Sequence, residues 1–359
     1  MSVVELRQPA TGPRTVAAIA AGELRALARD IDEQGLYPAD IMRALGEADA
    51  FAHHRTPGGL PAAISAMAEV AAICGSTGFC MWCQDALVWY LANSENPLPR
   101  QRYLDDVAAG RQLGGTGLSN PMKALSGIER LALKGQRVAG GYRITGRLPF
   151  VSNIEDGHLF AGVFQIDGTD RLGMAVFRAG ENGVTLARNA HFIALEGSAT
   201  YTVLIRDAFV PDADVLSDDA SAFIARIRKG FVLLQTGFGL GVARGAARSM
   251  HEDSFGRAAA AHLPLGPDEI DARSDALAAK IRALCDGAPE TDRAQFLEVL
   301  RTRLAVSWLA LEAAQSAMLQ FGARGYLVGS EASRRLREAQ FVATVTPSVK
   351  HITAELAKG

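Results

Sequence analysis

Leu113-Gly114-Gly115-Thr116-Gly117-Leu118-Ser119-Asn120-Pro121 decides how the rest of this chain is read. Three glycines let the backbone approach a neighbour closely, and Thr116 and Ser119 add hydroxyls that donate and accept. Asn120 precedes a proline and is steered out of the helical region, so Asn120-Pro121 reads as an exit turn. The stretch is too polar and too glycine-rich for a core strand. It reads as a strand ending in a binding loop. Helical periodicity precedes it and β-alternation follows, which puts it at a domain junction, a favoured place for a ligand. A glycine-rich connection without a ligand is the competing reading, because a lone glycine loop is a weak signal.

Upstream, Val16 to Ala28 carries apolar residues at helical spacing. Tyr37 to Ala48 is a second helix, with Pro38 in its first turn and Ile41, Leu45 and Ala48 on one face. Thr56-Pro57-Gly58-Gly59 is a turn. Leu60 to Cys74 and Phe79 to Asn93 form a helical pair separated by Gly75-Ser76-Thr77-Gly78. Asn96-Pro97-Leu98-Pro99 breaks that pair, and Arg102 to Ala109 is a short helix.

Downstream, Leu131-Ala132-Leu133 and Gly140-Tyr142-Ile144-Gly146 alternate about the turn Ala139-Gly140-Gly141, as a hairpin does. Phe160 to Phe164, Gly173 to Phe177 and Tyr201 to Ile205 are further strands. From Ala220 the pattern is helical again: Gly230 to Met250, Asp268 to Leu284, Thr291 to Gln320, Glu331 to Ala343 and Ser348 to Ala357. The chain divides into an α-helical domain over residues 1–112, a β-barrel or sandwich over 113–216, and a helical bundle over 217–359.

The 359 residues are 48% hydrophobic and 21% charged, with a formal net charge of -2. That balance argues against nucleic acid or an anionic membrane as partner. No apolar run is long enough to span a bilayer. Met1 to Pro13 has no apolar core, so no signal peptide is expected and the setting is a reduced cytoplasm. Of the four cysteines, Cys80 and Cys83 have CxxC spacing but sit in an apolar helical run without a second ligand pair. Buried free thiols are the expectation.

With these elements in this order, the chain resembles the acyl-CoA dehydrogenase family of flavoproteins, over nearly its whole length. Leu45-Gly46-Glu47 followed by Pro57-Gly58-Gly59 resembles the family's L-G-x-x-G…P-x-x-x-G-G. Leu118-Ser119-Asn120-Pro121 stands where the family has L-T-E-P. Tyr142 to Asn153 resembles Y-x-L-N-G-x-K-x-W-I-T-N, and Leu195 to Thr200 with Val210-Pro211 resembles L-R-G-S-x-T…V-P. Phe321-Gly322-Ala323-Arg324-Gly325-Tyr326 resembles F-G-G-x-G-Y, and Arg334 to Ala339 resembles E-R-x-x-R-D-A. The resemblance implies an acyl-CoA dehydrogenase-like α+β fold: an N-terminal helical domain, a middle β-barrel or sandwich, and a C-terminal four-helix bundle.

It also implies a flavin, FAD, lying between the β-domain and the C-terminal helices. Thr116, Leu118 and Ser119 match positions that bond the pyrimidine edge. Phe150, Val151 and Ser152 match the segment that flanks the ring and reaches N5. Donors at that edge favour the reduced flavin, because hydride arriving at N5 leaves negative charge near N1. The family builds this site with a neighbouring subunit, which implies a homodimer or homotetramer.

The pattern breaks where the family carries its base, a glutamate that removes the α-proton of an acyl thioester. The matching position here is Thr346, and a threonine is no base at neutral pH without help. An alternative location in some relatives matches Gly230 to Phe238, which holds no carboxylate. His351 falls one turn beyond Thr346 and reads first as a surface or packing residue. Thr346 and His351 are thus the weak catalytic candidates. The family's R-x-x-F-G, whose arginine helps bind FAD phosphate, is degenerate: Arg257 follows Phe255-Gly256 instead of preceding it, and Lys350 is a candidate replacement charge. Asn120, Lys123 and Arg130 are candidate substrate contacts. Asn153 reads as a turn former, His158 and His191 as structural.

The resulting expectation is a flavin-dependent oxidoreductase acting on the CH–CH bond of an acyl thioester, with hydride passing to the flavin. Two alternatives stand beside it. One is a reduced-flavin-dependent monooxygenase of the same fold, served by a reductase or electron-transfer partner. The other is a non-catalytic homologue that binds a ligand or a subunit.

Overall fold

The computed structural model describes residues 14–56, 58–287 and 292–358. Met1 to Pro13, Pro57 and Thr291, on which sequence expectations fell, lie outside them. The chain opens with α1 (Val16–Ile19), which runs through one π-helical turn, Ala20–Leu24, into α2 (Arg25–Glu33). Then come α3 (Ala39–Glu47), α4 (Leu60–Ala71), α5 (Gly75–Asn93) and α6 (Pro97–Ala108). The middle holds β1 (Gly114–Thr116), α7 (Ser119–Leu125), β2 (Leu133–Val138), β3 (Gly141–Val151), β4 (Leu159–Ile166), β5 (Leu172–Arg178), β6 (Val184–Ala187), β7 (Tyr201–Pro211) and β8 (Val215–Ser217). The chain closes with α8 (Ala220–Glu252), α9 (Arg257–Ala260), α10 (Pro267–Cys285), α11 (Arg293–Phe321), α12 (Glu331–Thr344) and α13 (Val349–Leu356).

Three punctuation signals in the sequence turn out to be helix starts. Gly75 to Gly78 form the first turn of α5, not a gap before it. A Cβ on Gly75 would press into the Glu338 carboxylate and one on Gly78 into Ala71, so these glycines serve close packing. Pro97-Leu98-Pro99 is the first turn of α6, capped by the Asn96 side chain, which accepts from the Leu98 amide at 3.1 Å. Asn120-Pro121 lies in the first turn of α7, not in an exit turn. A proline there lacks only an N–H that would have no intrahelical partner.

The strands form one eight-stranded mixed sheet in the order β6-β7-β3-β2-β4-β5-β8, with β1 paired in parallel to β4. Ile144 and Val151 of β3, Phe160 and Phe164 of β4, Phe177 of β5 and Val203 of β7 share one buried cluster. Strands that are not neighbours in the sheet therefore meet over a common core, and the sheet rolls around it. Alternation along β3 sends Ile144, Leu148 and Val151 inward and leaves Phe150 outside.

α8 is the central post of the helical part, with α4, α5, α10, α11 and α12 packed on it. Gly237 and Gly241 meet the α4 backbone so closely that a Cβ at either would overlap the Ile64 or Ala68 carbonyl oxygen. α12 is tied to the end of α4 by charge. Arg335, fully buried, donates to the Ala71, Ala72 and Ile73 carbonyls, while Glu338 takes both Arg334 and Arg335 and accepts from the Gly75 amide at 2.8 Å. Guanidinium groups at a helix C-terminus satisfy its orphan carbonyls. The R-x-x-R-x-A-like stretch thus holds α12 in place.

All four cysteines are free and buried, and burial pushes the Cys74, Cys80 and Cys83 thiols up from their ordinary value. Among the described residues no helix is long and apolar enough to cross a membrane, and no group of three or more His, Cys, Asp and Glu could hold a metal ion.

Candidate functional site

The glycine loop packs against the protein itself before it meets anything else. A Cβ on Gly114 would overlap the Leu159 carbonyl oxygen, and one on Gly115 the Ser152 carbonyl oxygen. β1 is thereby pressed onto both β4 and the end of β3, which brings the 116–119 turn beside Ser152. Asn153 locks the arrangement from below. It is fully buried in the left-handed region (φ 61°), donates to the Gly114 carbonyl at 2.6 Å, and accepts from the Tyr37 hydroxyl at 2.8 Å. The turn former read in the sequence is also the anchor of the loop.

Thr116, buried, exchanges a hydrogen bond with the Tyr90 hydroxyl at 2.8 Å and accepts from the Leu118 amide at 3.2 Å. Leu118 itself points into the helical core, and Val151 into the β-core, so each would offer backbone alone to a ligand. Ser152 Oγ lies 2.7 Å from Thr200 Oγ1, which lies 2.7 Å from Ser198 Oγ. Phe150 stands 55% exposed, its ring edge-on to Phe192 at 5.7 Å. A bare aromatic ring beside a row of hydroxyls suits the face and polar edge of a flat heteroaromatic group. These residues fit a flavin.

Ser119 Oγ lies 2.9 Å from Thr346 Oγ1, across 227 residues of sequence. The loop matched to flavin contacts and the position matched to the missing base therefore meet. Thr346 is held from behind: Gln235 of α8 donates to its carbonyl at 2.7 Å, and Arg303 of α11 donates from Nε to the Gln235 side-chain oxygen at 3.0 Å. Arg303 is fully buried, also donates to the Val342 carbonyl at 2.7 Å and to Ser307, and has no carboxylate partner among the described residues. Burial pulls its pKa down to about 10. Nothing in the sequence pattern singled out Arg303 or its link to Thr346.

Beyond Thr346 a cavity of about 270 Å³ opens between α7, the first turns of α8, the start of α11, and α13. Met122, Leu125, Ile224, Phe296, Leu300 and Ile352 are among its apolar walls, and its polar lining includes Ser126, Ser221, Arg228, His351 and the carboxylate residue Glu355. His351 is not a surface residue. It is 5% exposed, its Nε2 lies 2.8 Å from Ser126 Oγ, and its Nδ1 has no partner. Burial lowers its pKa, the neighbouring Lys358 and Lys123 lower it further, and Glu355 opposes them.

Other candidates are placed elsewhere. Asn120 binds the Arg130 carbonyl and the Ala132 amide, both at 2.9 Å, and staples its own loop. Lys123 pairs with Glu129 at 2.8 Å, and Arg130 and Lys350 are exposed. His158 is buried against Asn153 and Tyr37, while His191 is exposed beside Glu196. The Arg257 side chain lies outside the described residues. Arg324 instead brings a guanidinium to that region: it pairs with Asp253 at 2.8 Å and lies over the Phe255 ring at 4.6 Å.

Comparison with known proteins bears on the fold. Residues 13–111 match the family model described as acyl-CoA dehydrogenase, N-terminal domain. The chain is 23% identical over 343 residues to the short-chain-specific acyl-CoA dehydrogenase of Clostridium acetobutylicum, with 89% of each protein covered. Its fold is similar to that of glutaryl-coenzyme A dehydrogenase in complex with glutaryl-CoA, with a TM-score of 0.83 at 17% identity, covering 95% of this chain and 92% of that one. It is also similar to dibenzothiophene monooxygenase (TdsC) of Paenibacillus sp. A11-2, with a TM-score of 0.79 at 17% identity, covering 96% of this chain and 95% of that one.

Proposed function

We propose that this chain, a flavin-dependent oxidoreductase resembling the acyl-CoA dehydrogenases, oxidises the Cα–Cβ bond of an acyl thioester, or a thioester-like substrate, seated in the cavity beyond Thr346. The observation that carries this reading is the contact between Ser119 and Thr346, with Pro347 and His351 lining the cavity next to it. A bound flavin, FAD in this reading, supplies the hydride acceptor. Thr116, the Leu118 backbone and Ser119 would hold its polar edge, Phe150 would cover the ring, and the Val151 backbone with Ser152 would complete the wall. Arg324 would offer charge to a phosphate tail. The exposed apolar side chains Phe255, Leu319, Tyr326 and Leu327 around it fit the face of a homodimer or homotetramer in the cytoplasm.

Thr346 cannot take the α-proton, and His351 can. In the tautomer with Nε2–H donating to Ser126 Oγ, Nδ1 keeps a lone pair without a partner among the described residues, on a side chain that lines the cavity. Arg303 and Gln235 keep the Thr346 backbone in place at the end of that cavity. Nδ1 of His351 would take the proton from the α-carbon, and a bound flavin would supply the acceptor for the hydride of the β-carbon. The test is anaerobic titration of the flavin-loaded protein with a panel of acyl-CoAs. Bleaching of the flavin in the wild type, and its loss in His351→Asn, is the expected result.

A second reading has its own observation. Neither Thr346 nor the Phe231–Phe238 stretch offers a carboxylate, and a reduced-flavin-dependent monooxygenase needs no α-proton base. Flavin that stays oxidised under every thioester, with oxygen uptake once a reductase supplies reduced flavin, would favour it.

A further inference from the structure

We infer that the cavity beyond Thr346 selects substrates that carry an anion, a carboxylate or a phosphate, and that Arg228 is the residue that binds it. The inference deepens the proposed function only in taking this cavity as the substrate pocket.

Arg228 lines the cavity and lies with its guanidinium carbon 4.2 Å from the centre of the Phe296 ring. Its Nε is buried without a partner, and no carboxylate among the described residues pairs with the group. Its nearest charged influence is another cation, Arg293, which together with burial lowers its pKa. The carboxylate in the lining, Glu355, is already engaged, and so is the nearby Lys123. Glu355 pairs with Lys358 at 2.6 Å, and Lys123 with Glu129 at 2.8 Å. A half-buried cation next to a like charge is unfavourable unless something anionic completes it.

The chemistry of the side chain says what that partner is. A guanidinium offers a rigid fork of donors that matches the two oxygens of a carboxylate or phosphate, and stacking on Phe296 fixes its plane. The unpartnered Nδ1 of His351, on a side chain more than nine-tenths buried, borders the same space. Apolar side chains such as Met122, Ile224 and Leu300 line the same cavity. The occupant is therefore a short aliphatic body with an anionic group, in a space near the lower end of ligand pockets, about 300–1,000 Å³.

The test is calorimetric binding of three probes to the purified protein: hexanoate, hexyl phosphate and hexanamide. In the wild type at least one anion binds tenfold or more tightly than hexanamide, and which one does tells carboxylate from phosphate. Arg228→Gln removes that preference while melting with the wild type, Arg228→Lys keeps part of it, and Arg293→Gln leaves it within twofold. Equal binding of the amide, binding of none of the three, or an anion preference that survives Arg228→Gln overturns the inference. Flavin bleaching is read separately. Failure to bleach with anion binding intact removes the proposed reaction alone; bleaching without anion preference removes the inference alone.

Discussion

α8 borders two spaces that are treated in opposite ways. Its first turns, at Ser221, Ile224 and Arg228, leave about 270 Å³ open against α7, α11 and α13. Its next turns, at Phe231 and Phe238, are packed shut. Trp82 of α5 meets Phe231 at 5.2 Å, and Phe79 of α5 meets both Phe238 at 6.1 Å and Phe341 of α12 at 4.6 Å. Gln235, between those phenylalanines, holds Thr346 at the border of the two. The stretch of α8 that could have carried a carboxylate base carries rings instead. If the cavity is the substrate pocket, as proposed, the substrate has room on the Arg228 and His351 side and not along the aromatic seam, and the proposal calls for a short chain with a polar end.

The largest expected effect tests the open side. His351→Asn should lower kcat by about 10²–10⁴-fold, the range for a general base, with little change in thermal unfolding. A fall of less than tenfold would remove His351 from the reaction. On the closed side, Phe231→Ala should cost about 3–5 kcal/mol of stability, measured by denaturant unfolding, because the seam has no slack to refill the hole. A small loss would mean that the seam yields and can admit a chain.

The two sides should also differ in pH dependence. His54, buried on the flank of the seam against Trp89, is held down to about 4 by burial; His351 is lowered by burial as well. An imidazole whose folded pKa is depressed adds stability that is full above its ordinary value and is lost as pH falls through the folded one. The stability advantage of the wild type over His54→Gln should therefore keep shrinking from about 6.5 down to about 4. Buried Asp85, whose carboxyl is pushed well up by desolvation, works in the opposite sense, so the wild-type curve alone does not isolate either histidine. An advantage over His54→Gln that stays flat across that window would mean that the buried imidazole is charged. The smallest effect belongs to the border: Thr346→Ala should cost about 1 kcal/mol and change kcat less than tenfold, since it removes one hydroxyl pair with Ser119.

How much of this was legible follows from how local each signal is. The β3 hairpin, the paired strands and the long helices show themselves by alternation and periodicity within a few residues. The hydroxyl residues Thr116, Ser119 and Ser152 could be singled out because short motifs carry them, whereas their partners Tyr90, Thr346 and Thr200 could not. Gly75 to Gly78 and Asn120-Pro121 misled because glycine and proline mark both breaks and helix starts. Only the partner, Glu338 or the α7 turn, decides which. The cavity was not legible at all. Ser126, Arg228, Phe296 and His351 lie on four separate segments, and a single histidine near a helix start carries no signal alone. Arg303 was missed for the same reason, since its role exists only through Gln235 and Thr346.

The most direct measurement of the central claim is the visible spectrum of the flavin-loaded protein during anaerobic addition of acyl-CoAs. The account predicts that the flavin band bleaches with at least one of them in the wild type and stays unchanged in His351→Asn. A wild-type flavin that remains oxidised under every thioester, or equal bleaching in both proteins, would contradict it.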